Sequence, residues 1–140
     1  MVSFNKFDSF VEALAEKVHN LQSDTLRVAL TNTPPSSADT GFLPGSSHPP
    51  PASASGYSPT QSTQSSSAQA GGTYKLVSGD VIFTASGGQI GPFRYAIMLN
   101  DTATNDELIG WWDYGSSITL EDGETFTFDA DAINGILQLT

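Results

Sequence analysis

Few side chains in this sequence can move a proton, attack a carbonyl or hold a metal. There are two histidines, fifteen Asp and Glu, five Lys and Arg, and no cysteine. Nucleophilic catalysis needs a Ser or Cys beside a base, usually His. His19 falls at the end of a helical stripe and His48 lies in "GSSHPPP"; neither belongs to a Gly-x-Ser-x-Gly turn. Asp113 beside Trp111 and Trp112, or the pair Asp129 and Asp131, offers two carboxylates of the kind glycosidases use. Trp111, Trp112 and Tyr114 around Asp113 also suit sugar binding. "EDGE" (121–124) and "DAD" (129–131) carry hard oxygen ligands for calcium but lack EF-hand spacing. "SGGQIGP" (86–92) lacks the lysine and following helix of a phosphate cradle. Without cysteine there is no disulfide, thiolate or Cys-based zinc site. The expectation is a protein that is not an enzyme, with no catalytic residue, cofactor or metal, which works through its surfaces.

Charge narrows the choice of surface. The formal net charge is −10, and it is uneven: residues 1–94 hold six acids and all five bases, residues 95–140 nine acids and no base. Displacing counterions from phosphates needs the opposite sign, so no nucleic-acid partner is expected. No apolar run approaches the ~18–20 residues of a membrane span, so no membrane partner is expected either. "MVSFNKFDSFVEALAEKV" lacks the basic head and apolar block of a secretory signal, so a chain made in the cytoplasm is expected.

The elements that must position these groups are read from periodicity. Phe4, Phe7, Phe10, Val11, Leu14, Val18 and Leu21 form a stripe that predicts a helix over 5–20, with Ser9 and Glu12 as a capping box. "TLRVALT" (25–31) alternates as a half-buried strand. Residues 32–72 are a Pro/Ser-rich, low-complexity stretch, and 73–140 form a β-rich body. Its strands are expected at 73–77, 80–86, 93–100, 108–115, on both sides of a hairpin at Glu121-Asp122-Gly123, and at 133–140. Seven to nine short strands at intervals of about 8–12 residues predict an antiparallel β-sandwich or barrel in one domain, 1–140. Phe83, Tyr95, Ile97, Leu99, Leu108, Trp111, Phe126, Phe128, Ile136 and Leu139 are expected to supply much of the core.

Residues 32–72 form a connection inside this domain, because the thirty or so residues before them are too few for a domain of their own. Three consecutive prolines favour an extended course, and "SASGYSP" is expected to re-enter the sheet as a short edge strand limited by Pro59. Order and disorder of the free segment both remain open at this point.

The opening "FNKFDSFVEALAEKVHNLQSDTLRVALTN", with "GPFRYAI", "LIGWWDYGSSITL" and the closing "NGILQLT" downstream, resembles small structural proteins of tailed bacteriophages. Among these it is similar to the jelly-roll cement, or decoration, proteins of short-tailed phage heads. The resemblance covers about 4–32 and 73–140. It implies a β-sandwich of jelly-roll type on the virion exterior, with the major capsid protein and other copies of itself as partners, a dimer before a trimer. A neck or tail component and a carbohydrate-binding β-sandwich are the alternatives. The interface candidates are Trp111, Trp112 and Tyr114, with Pro49, Pro50, Pro51 and Tyr57 on an extended arm.

Overall fold

The computed structural model describes residues 2–140. Its order is β1 (Asn5–Lys6), α1 (Asp8–Ala15), β2 (Leu26–Thr31), β3 (Ser53–Ala54), β4 (Thr60–Gln61), β5 (Gln64–Ala70), β6 (Thr73–Ser78), β7 (Val81–Thr84), β8 (Ile90–Asn100), β9 (Leu108–Leu120), β10 (Thr125–Phe128) and β11 (Leu137–Leu139). The large sheet runs β1-β9-β8-β2-β4, with β3 on β8 at Ile90 and Gly91. Two smaller sheets, β10-β7 and β11-β6-β5, complete the molecule, and all pairings are antiparallel. Residues from all three sheets meet in one apolar cluster, so the fold is an antiparallel β-sandwich. Its connections are compatible with a jelly roll. Among the described residues, no helix is long and apolar enough to cross a membrane.

The expected helix over 5–20 shrinks to eight residues. Asn5 and Lys6 pair with Trp111 and Gly110 instead, which draws the Phe4 ring over Gly110 and Trp112. Phe7 is the N-cap and no side chain caps it, so the Ser9/Glu12 box does not form. The other end closes by a Schellman pattern, Val18 N–H to Ala13 O and Lys17 N–H to Leu14 O, with Lys17 at φ +69°. Val11 and Val18 are left exposed.

β8 and β9 form the spine. Register shifts between Ile90 and Phe93 and between Phe93 and Tyr95 switch the parity of β8 twice, so that Phe93 faces the same way as Ile90, Ala96 and Met98. Phe93, Ala96 and Met98 therefore face the main cluster with Ile109, Trp112 and Phe128. Ile97 and Leu99 face the other way and join Phe7, Ala29 and Leu108 in a second cluster, edged by Phe42 and Trp111. The expected core thus divides. Ile97, Leu99 and Leu108 lie on the outer face, and Trp111, Phe126 and Leu139 are half-buried. With both faces covered, Tyr95–Asn100 is buried without a break, and alternation carries no signal there.

Two further expectations are corrected. Glu121–Glu124 makes a turn, but β10 pairs with β7 and not with β9, so this is a corner between layers rather than a hairpin. Residues 32–72 are not one loop: β5 occupies 64–70 and forms a hairpin with β6 around Gly71 and Gly72, at φ +59° and +84°. Serine, alanine and glutamine are weak strand formers, and pairing with β6 overrides them.

Candidate functional site: a Pro/Ser-rich cover on the outer face

Residues 32–52 cross the outer face of the large sheet and close the second cluster. Backbone bonds tie them down at intervals: Asp8 N–H to Ser37 O (2.9 Å), Leu108 N–H to Thr40 O (3.0 Å) and Phe42 N–H to Asp106 O (3.0 Å). His48 pins the centre. Its imidazole is buried, Nδ1 accepts from Leu43 N–H at 3.1 Å, and Nε2 lies 3.0 Å from Asp39 Oδ2. Because Nδ1 accepts a bond, the proton sits on Nε2 and is donated to Asp39. Asp39 Oδ2 also accepts from Ser36 N–H at 3.0 Å, so one carboxylate holds both limbs of the loop. Phe42 stacks on His48, with ring centroids 5.7 Å apart, and packs against the second cluster.

In an extended chain the residue after an inward side chain points outward. Phe42 is turned in, and Leu43 is 53 % exposed. Phe42, Pro44, Pro50, Ala54, Tyr57 and Pro59, with Ser58, line an open groove of about 350 Å³. Tyr57 closes its floor: its hydroxyl accepts from Leu30 N–H at 2.8 Å and donates to Leu30 O at 3.3 Å. Burial pushes the Tyr57 phenol up to about 12, against a smaller opposing pull from the Leu30 backbone bond. Residues 40–79 contain no Asp or Glu at all, although the chain has fifteen. The groove therefore sits on neutral chain in an acidic molecule, and Leu43 lines a separate pocket with Thr40, Gly41, Asn105 and Glu107.

The structure disperses the interface candidates. Trp112 is fully buried, edge-on to Phe128 at 4.8 Å, and its Nε1 has no hydrogen-bond partner. Trp112 is a core residue, because β9 parity turns it toward the opposing sheets. Trp111 faces the other side, half-buried against Phe7 at 4.7 Å. Tyr114 is half-buried, edge-on to Phe126 at 5.1 Å, and burial lifts its phenol to about 12. Pro51 is buried, Pro49 and Tyr57 are half-buried, and Pro50 is exposed. Of the arm candidates, Pro50, Tyr57 and their neighbours come together at the groove; Trp112 and Pro51 are withdrawn from any surface. Leu43 was missed. It is the one large aliphatic residue between 32 and 72, and its place directly after Phe42 was the available signal.

Most of the groups that suggested chemistry are tied into structural bonds; Asp129 is the exception, exposed just after β10. Asp113 makes a two-pronged pair with Arg94, Oδ1 to Nε at 2.8 Å and Oδ2 to Nη2 at 3.1 Å, and accepts from Gly115 N–H. These bonds, the Arg94 contact first, hold its carboxyl below the usual range. Asp131 accepts from the N–H groups of Ile133 and Asn134 and from the Asn134 side chain, which lowers it likewise. Asp122 accepts from Gly87 N–H, and Glu124 from Glu121 N–H. His19 is buried, with Nδ1 2.9 Å from Asn100 Nδ2 and its ring 5.5 Å from Phe10. Among the described residues, no three His, Asp or Glu are grouped to hold a metal ion. No protein-family model, curated protein or solved structure matches this chain.

Proposed function

We propose that this chain is a structural virion protein that binds the outer surface of a bacteriophage head and cements its major capsid subunits. The reading rests on the resemblance of the terminal segments and on one observation that supports it. The exposed apolar groove and Leu43 belong to the acid-free stretch of chain, 40–79; every acidic residue lies outside that stretch, with Glu107 brought beside Leu43. A cement protein turns one surface to the shell and another to solvent. A neutral apolar groove fits the first, and an acidic, soluble surface fits the second.

Cementing makes and breaks no covalent bond. It needs a modest contact repeated at symmetric positions, so that weak copies add through multivalency. The cover suits this work because it is held by directional bonds to the sheet and is presented already ordered, which lowers the entropic cost of docking. The partners in this reading are the major capsid protein and other copies of the chain, on the capsid exterior. The sugar-binding alternative needs Trp111, Trp112 and Asp113 on one surface, and β9 puts the two indoles on opposite faces.

Copy number separates the head from the neck or tail. Purified particles are expected to carry on the order of hundreds of copies. A count of about six or twelve, matching a single ring, would move the protein to the neck or tail. The double variant Leu43→Asp/Pro50→Asp alters exposed side chains alone. It is expected to bind heads at least about tenfold more weakly and to leave the temperature of DNA release where it stands without the protein. Undiminished binding by that variant would take the docking away from this groove.

A further inference from the structure

Sheet edges with unpaired backbone groups invite other strands, and folded proteins usually blunt them with charge, proline or shortness. Most edges of this molecule follow that rule. β1 is two residues long and ends in Lys6, β4 is two residues long and follows Pro59, and β11 has three residues. β7 follows Asp80, and β10 lies between Glu124 and Asp129. β5 does not follow it. "QSSSAQA" is seven residues long, carries no charge and no proline, and forms the outer edge of β11-β6-β5.

The free groups on that edge can be named. The two-residue turn at Gly71 and Gly72 makes Ala70 and Thr73 a hydrogen-bonded pair, and antiparallel pairs alternate from there. The N–H and C=O groups of Ser66, Ala68 and Ala70 therefore point to β6. Those of Ser67 and Gln69 point away from it. A register shift between Gln64 and Ser66 sets Ser65 out of line, so the regular edge is 66–70.

We propose that β5 is a self-pairing edge, on which a second copy of this chain adds its own β5 in antiparallel orientation, with the two-fold axis at Ala68. Three registers would bring the free groups of Ser67 and Gln69 opposite one another or themselves. Centring on Ser67 uses the bulged Ser65, and centring on Gln69 uses the turn residue Gly71. Centring on Ala68 pairs Ser67 with Gln69 of the other copy, twice by symmetry, and keeps every paired group within 66–70. Ala68 then meets itself in a non-hydrogen-bonded pair, where Cα atoms approach to about 4.5 Å and a small side chain is needed.

Charge selects this edge for a like partner. Two copies at −10 each repel wherever their acidic surfaces approach. β5 and β6 lie inside the acid-free stretch, with Lys75 as the sole charged side chain across the hairpin. The contact is isologous and closed, so it yields a dimer in which the long uncharged edge is used up and only the three-residue β11 edges remain on that sheet. It does not depend on what the cover binds, and a failure of the head-binding reading leaves it standing.

The chain has no cysteine, so single cysteines report the pairing cleanly. Ser66→Cys, Ala68→Cys and Ala70→Cys place a thiol at three exposed positions on one face of one strand. On mild oxidation of the full chain, Ala68→Cys is expected to cross-link at least about tenfold faster than the other two. Its axis position alone meets the Cα spacing of about 4.4–6.8 Å that a disulfide requires. In sedimentation over a concentration series, the unmodified chain is expected to move toward twice its 14.8 kDa mass. Gln69→Pro, which removes an outward N–H that faces solvent in the single chain, is expected to stay monomeric with an unchanged circular dichroism spectrum. Equal cross-linking rates at the three positions, or a chain that stays monomeric to its solubility limit, would overturn the proposal.

Discussion

On its inner face the large sheet meets two smaller sheets across twenty buried apolar residues, whereas on its outer face five buried residues lie under a Pro/Ser-rich cover. At about 1.5–3 kcal/mol for each large side chain fully buried, the inner face carries most of the stability. The outer face is organised by directional bonds instead: His48 donates to Asp39 and accepts from Leu43 N–H, the carbonyls of Ser37 and Thr40 accept from Asp8 and Leu108, and Phe42 N–H donates to Asp106 O. Apolar area tolerates approximate placement, but hydrogen bonds fix a position. A chain segment with almost no aliphatic residue can therefore be ordered where its few polar groups find partners. The surface proposed to bind is thus built on the less stable side, as mobile or binding segments commonly are.

The difference can be broken from either side. Trp112→Ala removes the largest side chain of the inner core and is expected to cost about 3–5 kcal/mol, with Trp112→Phe costing far less. Chemical denaturation checks this, and a small loss from the alanine variant would mean that the inner face is not the dominant store. Asp39→Ala strips the pin and leaves the buried His48 Nε2 unpaired, a loss of about 1–3 kcal/mol. Hydrogen exchange is expected to speed up at 36–48 while β7 and β10 keep their protection. Equal loss of protection in both regions would show that the two faces unfold as one. If the faces are independent, the costs of the two substitutions add in the double variant.

The smallest effect concerns the buried His19. His19 edges the inner core, and burial lowers its pKa below 6.5, with Glu107 and Asp24 opposing weakly. Its neutral form is favoured in the folded state, so the unfolded chain binds the extra proton first. The contribution is complete above about pH 6.5 and is lost as pH falls below that value. Unfolding free energies at about pH 7.5 and pH 5.5 are expected to differ more for the native chain than for His19→Gln. An identical difference in both would assign the pH dependence to other groups.

The sequence made some of this legible. The short strand spacing led to an antiparallel β-sandwich, and "SASGYSP" does return to the sheet, with Ser53 and Ala54 on β8. Alternation failed on β8 and β9, because bulges shift parity and both faces are buried; Trp111 and Trp112 were thus indistinguishable by pattern. The helix was overextended because Phe4 and Phe7 fit a helical stripe equally well as residues flanking an edge strand. His48 gave no local signal, since its partners are backbone and carboxylate groups brought round by the loop. The absence of acids over 40–79 was in plain view, but its meaning needed the groove and the free edge of β5 to be placed on it.

A reconstruction of heads with the protein bound, at a resolution that orients the sandwich, bears on the central proposal without intermediaries. The groove of Phe42, Pro44, Pro50 and Tyr57, with Leu43, is expected to lie against the capsid, and the acidic residues flanking β10, Glu121, Asp122, Glu124 and Asp129, to face solvent. Contact through the acidic surface, with Leu43 and the groove turned outward, would contradict it.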